Sequence, residues 1–598
     1  MSKAILNGVD FYNIFKSGAD IVKRNKENLN RINVFPVRDG DTGTNLALTM
    51  GSIADEAVVS EDFDIVIQSM ADIAFENARG NSGIIFASFL GGFSSACINL
   101  KTIDLEQFSR GAELAVESAY SAVSEPVEGT MLTVIREWSN YITTNHNTHQ
   151  KFSDLFEGAY RKANQALEET TDMLEVLKKN KVVDSGAKGF VMFLEGFSKF
   201  IGDFIHGNEK VVQSISIGHT HAKTAYTDHQ SLKFRYCTEV LLKEDIKVKS
   251  EVEAMLDGIG DSLIVTGNER LVKIHVHTDR PDLITKLFAD AGYKVYKSKV
   301  DDMLLQVQVE KGAKSNIGIL TDSIADIEDQ QLLSEQIHMI PLALIADEST
   351  YLDKLTATKD NLSSILNQSK TYPTSSQAEV RFISSKLEWL LGQYEHVIIF
   401  SVAKALSGTY TSYEKAIESF AEDKHRIHLV DTKLNSGAQG LIVLKAAQMA
   451  NAGMRVDEII NRATDDISKT KILVSLDTFK YAVKSGRVPY RIGRIFVMLR
   501  AKPIMSLSLE GNGIASGLAF SRKAADMKIY RRVKKIMKQG GISQYSIVHS
   551  NNPELANAYK VQFEELIGFP PVITTEISAI TAIHAGIGSV AIAFTRKE

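Results

Sequence analysis

At 598 residues, 44% hydrophobic and 24% charged, the chain is too long for one ordinary core, and its length alone predicts about three or four domains. Lys and Arg number 68 against 73 Asp and Glu, a formal charge of -5, which excludes the basic bias of a nucleic-acid binder. Two cysteines, Cys97 and Cys237, exclude a disulfide framework, and no apolar run is long enough to span a bilayer. Asp10 and Asp20 interrupt the apolar residues at the amino terminus, so no signal peptide is expected and a cytoplasmic protein is.

From the amino terminus to about Phe204, apolar residues recur at helical spacing, as in Phe11, Ile14, Phe15 and Val22, then Leu132, Ile135, Trp138 and Ile142. This predicts an all-α region, a closed helical bundle or barrel. Its chemistry falls in the loops. Residues 33–45 read N-V-F-P-V-R-D-G-D-T-G-T-N and precede an apolar run that starts at Leu46. In an extended loop the carboxylates of Asp39 and Asp41 face one point, which suits magnesium held by one or two carboxylates and by phosphates. Gly40 and Gly43 permit tight turns, and Thr42, Thr44 and Asn45 are capping residues for a helix whose N-terminus favours anions. The alternative is a polar turn whose aspartates satisfy their own backbone. An EF-hand is excluded, because Met50 falls where that loop needs its bidentate Glu. Residues 78–83, A-R-G-N-S-G, offer close-lying amides with Asn81 and Ser82 as side-chain donors. Residues 126–132, P-V-E-G-T-M-L, and 184–189, D-S-G-A-K-G, follow the same logic. No G-x-x-x-x-G-K-[ST] occurs, so a P-loop enzyme is excluded.

Between about Gly207 and Ser315, short alternating runs predict strands at 234–242, 263–266 and 271–277, helices near Val252 and after Pro281, and strands near Tyr293 and Leu304. That order approximates the split β-α-β of a ferredoxin-like α+β domain. In L-V-K-I-H-V-H, Ile274 and Val276 share one face while His275 and His277 share the other. With Cys237 they form a candidate zinc set; the alternative is an exposed polar strand face beside an unrelated thiol.

From about Asn316 onward, β-rich runs at 317–320, 396–400 and 590–594 alternate with longer helical runs, which predicts an α/β domain with a largely parallel sheet. Hydroxyl-rich loops follow strand ends, where such sheets bind ligands: T-D-S at 321–323, T-S-S-Q at 374–377 and S-G-T-Y at 407–410. S-G-R at 485–487, K-P-I at 502–504 and H-A-G-I-G at 584–588 complete the set.

Residues 33–45 and the three loops that follow, in that order, resemble the nucleotide-binding domain of the dihydroxyacetone kinase family (DhaL-like), in the version carried by the kinase subunit of bacterial fatty acid kinase. Arg38 stands where that pattern usually has proline. The resemblance implies ATP as cofactor, magnesium on Asp39 and Asp41, and nucleotide contacts from Thr42, Thr44, Asn45, Asn81, Ser82, Gly129, Thr130 and Asp184, with Lys188 in the last loop. C-T-E and H-V-H-T resemble the metal site of that kinase's middle domain, which implies zinc on Cys237, His275 and His277. The remainder resembles the DegV family of fatty-acid-binding proteins from end to end, with T-S-S-Q-A in place of the usual T-S-Q-P. This implies a long-chain fatty acid in an apolar tunnel, its carboxylate held by Ser376, Ser407, Gly408, Thr409 and His584, with Arg487 facing the phosphate. The expected domains are therefore a DhaL-like ATP-binding kinase domain at 1–206, a middle α+β domain at 207–315 and a DegV-like domain at 316–598. Together they imply a phosphotransferase that makes acyl phosphate from ATP and a fatty acid for phospholipid synthesis, with a downstream acyltransferase and a second copy of the chain as candidate partners. The alternatives are a kinase for a hydroxyl compound such as dihydroxyacetone, or a non-catalytic lipid-binding carrier or sensor.

Overall fold

From Gly83 to Ser94 nearly every residue of the helix Gly80–Ser95 is buried, as befits a segment that is apolar all round rather than along one stripe. Its Phe86, Phe89 and Phe93 meet Phe15, Phe193, Trp138, Phe190 and Phe108 at ring separations of 4.9 to 6.2 Å. The computed structural model describes residues 3–35, 40–123, 126–206, 232–243, 249–267, 271–485, 498 and 501–597. The chain forms two compact units, the first comprising Met1–Asp279 with Val300–Leu304, the second Arg280–Lys299 with Leu305–Glu598.

In the first unit, helices Gly8–Arg24, Thr42–Glu56, Phe63–Asn77, Leu105–Ala122, Met131–Asn145, Phe152–Met173 and Ser185–His206 join Gly80–Ser95, and most of them contribute to one core. Phe11, Ile14, Phe15 and Val22 are all buried, as their spacing predicts. One departure from the all-helical expectation is a short antiparallel ribbon, Ile5–Asn7 against Thr102–Asp104. Each of its strands ends in a capping box, at Asn7 and Asp104, that starts the following helix.

The same unit holds strand Tyr236–Lys243, helix Lys249–Met255 and strands Asp261–Gly267 and Leu271–Thr278. Leu271–Thr278 pairs antiparallel with both other strands, so the first strand lies beside the third, as a split β-α-β order requires. The polar face of this sheet is not exposed. Glu239, His275 and His277 are buried, Ile264 joins the helical core, and Thr266 hydrogen-bonds Ser88 of helix Gly80–Ser95, the hub helix of this unit. The exposed-face alternative for the two histidines is thereby excluded.

The second unit contains a four-stranded sheet in the order Ile427–Asp431, His396–Ser401, Ile317–Asp322, Ile337–Ile340, all parallel as expected. A six-stranded sheet departs from that expectation. Gly513–Ala519, Lys502–Leu507, Thr470–Ser475, Val590–Arg596 and Ile542–His549 run antiparallel in that order, and only the edge strand Ile573–Glu576 pairs parallel. One of these pairings has a local cause: the tight turn after Leu507, closed by the Ser508 amide on the Asn512 carbonyl at 2.8 Å, folds two strands into a hairpin. Helix Pro281–Asp290, within the expected middle domain at 207–315, falls with the segment Arg280–Lys299 in this compact unit. Thr285 Oγ1 donates to the Thr356 carbonyl at 3.4 Å, and the Val295 amide to Ser349 Oγ at 3.2 Å. Among the described residues no helix is long and apolar enough to cross a membrane.

Candidate functional site

Four loops of the first unit converge where its helices begin. Asp41 immediately precedes helix Thr42–Glu56, accepts the Asn45 amide on its carbonyl at 2.8 Å, and makes no side-chain cap to its own helix. The start of this helix is instead set by Asn30, whose Oδ1 accepts the Thr44 amide at 3.0 Å and whose Nδ2 donates to Thr44 Oγ1 at 2.9 Å. Asp39 lies outside the described residues.

The second loop docks directly on the first. The Arg79 amide donates to Thr49 Oγ1 at 3.2 Å, and Gly80 takes a φ of +58° with Asn45 against it. A β-carbon at Gly80 would lie 2.6 Å from Asn45 Nδ2, so only glycine permits this approach. Asn81 and Ser82 follow in the first turn of the hub helix, where amides have no intrahelical acceptor. Asn81 Oδ1 is buried and has no hydrogen-bond partner among the described residues. A buried polar atom in that state is expensive unless a ligand or water completes it.

The third and fourth loops close the ring. The Gly129 amide donates to Thr133 Oγ1 at 2.8 Å, and Thr130 caps helix Met131–Asn145 by accepting the Leu132 amide. Asp184 accepts the Ala187 amide at 2.8 Å and also the Met131 and Gly186 amides, which ties the fourth loop to the third. Burial pushes its carboxyl up to about 6 despite those amides. A β-carbon at Gly186 would lie 2.7 Å from Ser82 Oγ, which brings the second loop against the fourth. Lys188 sits one turn further on, its amide on the Asp184 carbonyl at 2.9 Å.

A second constellation lies on the buried sheet face. Antiparallel register sets Cys237 opposite His277, and Glu239 opposite His275. Cys237 Sγ is 3.8 Å from His275 Nδ1, His275 Nε2 is 3.3 Å from His277 Nε2, and one ligand atom from each residue falls within 4.8 Å of the others. A thiol with two imidazoles suits zinc. Burial and the neighbouring His275 push the His277 imidazole down to about 3, so it is neutral and able to ligate, and Asp261 Oδ1 faces its Nδ1 at 3.5 Å.

The second unit contains a cavity of about 780 Å³. Ser376, Ser407, Gly408 and His584 line it together with Asn435 and Ser436, while apolar wall comes from the six-stranded sheet through Ile472, Val474, Met505 and Ala591. Thr409 does not line it. It is fully buried and meets Ser407 Oγ at 2.9 Å, so it orients the serine from behind. Arg487 lies outside the described residues.

Three buried aspartates hold residues that line or adjoin this cavity, and of them only Asp322, in T-D-S, falls in a stretch singled out by sequence. Asp322 accepts the Val402 amide at 2.7 Å and Gln439 Nε2 at 3.1 Å; Asp326 accepts Ser436 Oγ at 2.6 Å and the Ser578 amide at 2.9 Å; Asp353 accepts Ser323 Oγ at 2.6 Å and the Ile580 amide at 3.3 Å. They fasten the cavity loops and the helix Ala579–Ala585 that carries His584. Burial raises all three carboxyls, those of Asp322 and Asp353 to about 6. Folded, each keeps its proton to higher pH than unfolded, where it titrates near 3.8; stability from these groups is therefore fullest below 3.8, declines as pH rises through about 6, and stays low above. Acidifying from about pH 7 to about pH 5 should raise Tm by roughly 5 °C from this source. In Asp353→Asn, whose amide can still bond Ser323 and accept from Ile580, thermal melts should show a smaller rise than the wild type.

Comparisons with known proteins place three family matches in this one chain. Residues 36–199 match the DAK2 domain, residues 233–310 the FakA-like middle domain of fatty acid kinase, and residues 316–597 the uncharacterised DegV family. An uncharacterized protein of Mycoplasma genitalium is 32% identical over 368 residues, 58% of this chain and 65% of the relative. One of Mycoplasma pneumoniae is 35% identical over 336 residues, 52% of this chain and 60% of the relative, and one of Staphylococcus aureus is 33% identical over 306, 50% and 56%. The chain thus spans 65%, 60% and 56% of the length of these curated relatives. Among solved structures, DegV of Bacillus subtilis, described as a fatty acid binding protein, is 24% identical and aligns over 47% of this chain and 100% of its own, with a TM-score of 0.43. A DegV family protein of Thermus thermophilus, also described by its fatty acid binding, is 22% identical over 47% and 99%, with a TM-score of 0.42. The chain therefore carries a DAK2 domain, a FakA-like middle domain and a DegV domain in sequence, a fatty-acid-kinase-like arrangement in one polypeptide.

Proposed function

We propose that this chain is an ATP-dependent fatty acid kinase that transfers the γ-phosphoryl group of ATP to the carboxylate of a long-chain fatty acid, giving acyl phosphate and ADP. The observation that carries this reading is the presence in one polypeptide of a four-loop cradle suited to phosphates and a cavity with hydroxyls among apolar walls.

The residues present fit the groups required. The buried Asn81 Oδ1, an acceptor without a hydrogen-bond partner among the described residues, suits the cation or a donor group of a bound nucleotide. Asp41, with Asp39, would hold magnesium; bound there, the ion supplies neutralisation of phosphate charge. Asn81, Ser82, Gly129 and Thr130 bind and orient the nucleotide, and Thr42, Thr44 and Asn45 shape the turn beside it. In the second unit Ser376, Ser407 and His584 donate to the carboxylate, Gly408 lets the chain pass close by, and Thr409 steadies Ser407.

A fatty acid carboxyl with an ordinary pKa is ionised at neutral pH, so no base is required. One carboxylate oxygen forms a bond to the γ-phosphorus as the bond to the β–γ bridging oxygen breaks, and that electron pair leaves with ADP. The obstacle is repulsion between two anions, and positioning with charge neutralisation overcomes it. Arg487 is the cation assigned to that task.

ADP release measured with fatty acid, with dihydroxyacetone and with neither tests the reading. Turnover that depends on fatty acid supports it; turnover on dihydroxyacetone makes the chain a hydroxyl kinase, and none with either leaves a lipid carrier. The Cys237, His275 and His277 cluster should hold one zinc per chain, with a structural role. Elemental analysis after purification without added metal checks this, and in Cys237→Ser with His275→Ala the zinc should be lost.

A further inference from the structure

We infer that Glu239 is a positioning residue through which the Cys237, His275 and His277 cluster sets the shape of the phosphate loop; this rests on the nucleotide reading of the four loops. Glu239 Oε1 accepts the Gly80 amide at 2.7 Å, a direct link from the sheet to residues 80–82. The carboxylate is itself fixed: Oε2 pairs with Lys273 Nζ at 3.0 Å, and both side chains are buried, at 2% and 8% exposure. Oε1 also lies 4.0 Å from His275 Nδ1.

The strand geometry joins this contact to the cluster. Cys237 and Glu239 are two residues apart on one strand and point to the same face, and their cross-strand partners are His277 and His275. A metal held by Cys237, His275 and His277 therefore clamps the two strands at the register that aims Glu239 at Gly80. On the helical side, Gly80 is the residue where the chain turns at a φ of +58°, against Asn45, before Asn81 and Ser82. Engaging its amide removes one donor from the first turn and fixes the orientation of the next two. Without Glu239, the turn loses its anchor and the Asn81 and Ser82 groups lose their common aim at phosphate.

The test is ATP affinity of the full-length chain, measured by calorimetry with magnesium and no acceptor, before and after zinc removal by a chelator. In the wild type, zinc removal should weaken ATP binding about tenfold, the worth of a charge-assisted hydrogen bond. Glu239→Asp keeps the charge beside Lys273 but withdraws the carboxylate from Gly80; it should be weakened about tenfold already and lose little more when zinc is removed. Glu239→Gln keeps an acceptor for the Gly80 amide without the charge and should bind ATP with an affinity between those of Glu239→Asp and the wild type. A role confined to packing would not yield this partial rescue or this loss of zinc sensitivity. Wild-type affinity in Glu239→Asp overturns the inference, as does zinc removal that weakens both proteins by the same factor. If the wild type binds no ATP, it is the nucleotide reading itself that fails.

Discussion

Asp41→Ala should lower fatty-acid-dependent ADP release by at least about 100-fold, the loss expected when a principal stabiliser of transferring phosphate is removed. Asp39→Ala should do the same. The expectation follows from where Asp41 sits: its carbonyl starts the helix Thr42–Glu56, while its carboxylate makes no cap to that helix. Alanine retains the backbone contact and removes the proposed cation ligand. The fold should persist, and fatty acid binding should not change, because the cavity belongs entirely to the second unit. Calorimetry with ATP and magnesium would separate the steps, since the variant should lose magnesium-dependent affinity as well as turnover. Near-normal magnesium-dependent turnover in either variant would falsify the metal assignment.

The second large effect concerns the cavity. The chain, purified as expressed, should carry a long-chain fatty acid identifiable by mass spectrometry of denatured extracts. Ten buried methylenes at roughly 0.8 kcal/mol each give about 8 kcal/mol, which corresponds to a Kd of about 1 μM before any contact to the headgroup. Ser407→Ala should then weaken binding only about fivefold, because one hydrogen bond is worth about 1 kcal/mol. Ala591→Phe should act far more strongly. Ala591 lies on a central strand of the six-stranded sheet and faces the cavity, so an aromatic ring there occupies the path of the acyl chain. A loss of at least about 100-fold is expected; Ala591 also belongs to the buried core, so Tm should fall modestly as well, and the binding loss is read at a temperature where the variant is folded. Titration with a fluorescent fatty acid decides it: equal affinity in wild type and Ala591→Phe would mean the lipid binds elsewhere.

Local chemistry makes much of this legible in sequence. Residues 40–45, 78–83, 129–131 and 184–187 announce themselves by glycines, small hydroxyls and amides placed before apolar helical runs, and these four segments meet. The two-residue period puts His275 and His277 on one face, and the structure brings Cys237, already in the candidate set, to both of them. What stays hidden depends on partners distant in sequence. Glu239 reaches Gly80 across 159 positions, and the C-T-E motif that contains it points to the metal set and not to the phosphate loop. Asn30 and Thr49 fix the first two loops by side-chain bonds that composition does not reveal. Asp322, Asp326 and Asp353 each lie near short polar residues that read equally well as turns. The antiparallel sheet is not legible either, because strands separated by helical runs imply crossovers, whereas here strand Val590–Arg596, at the carboxyl end, inserts between Thr470–Ser475 and Ile542–His549.

The segment Arg280–Lys299 has a consequence for any attempt to take the protein apart. The polypeptide leaves the first unit after Asp279, returns at Val300 and departs again after Leu304, so three peptide connections join the two bodies. No single scission can deliver either one whole. A piece beginning at Asn316 forfeits the helix Pro281–Asp290 and its bonds to Thr356 and Thr358, while a piece ending near Lys311 retains that helix without those partners. Nicking by a protease within 280–299 should accordingly leave fragments that stay associated until denaturant is added, and activity lost on truncation at a domain border read from sequence would report damage at this seam rather than a division of labour.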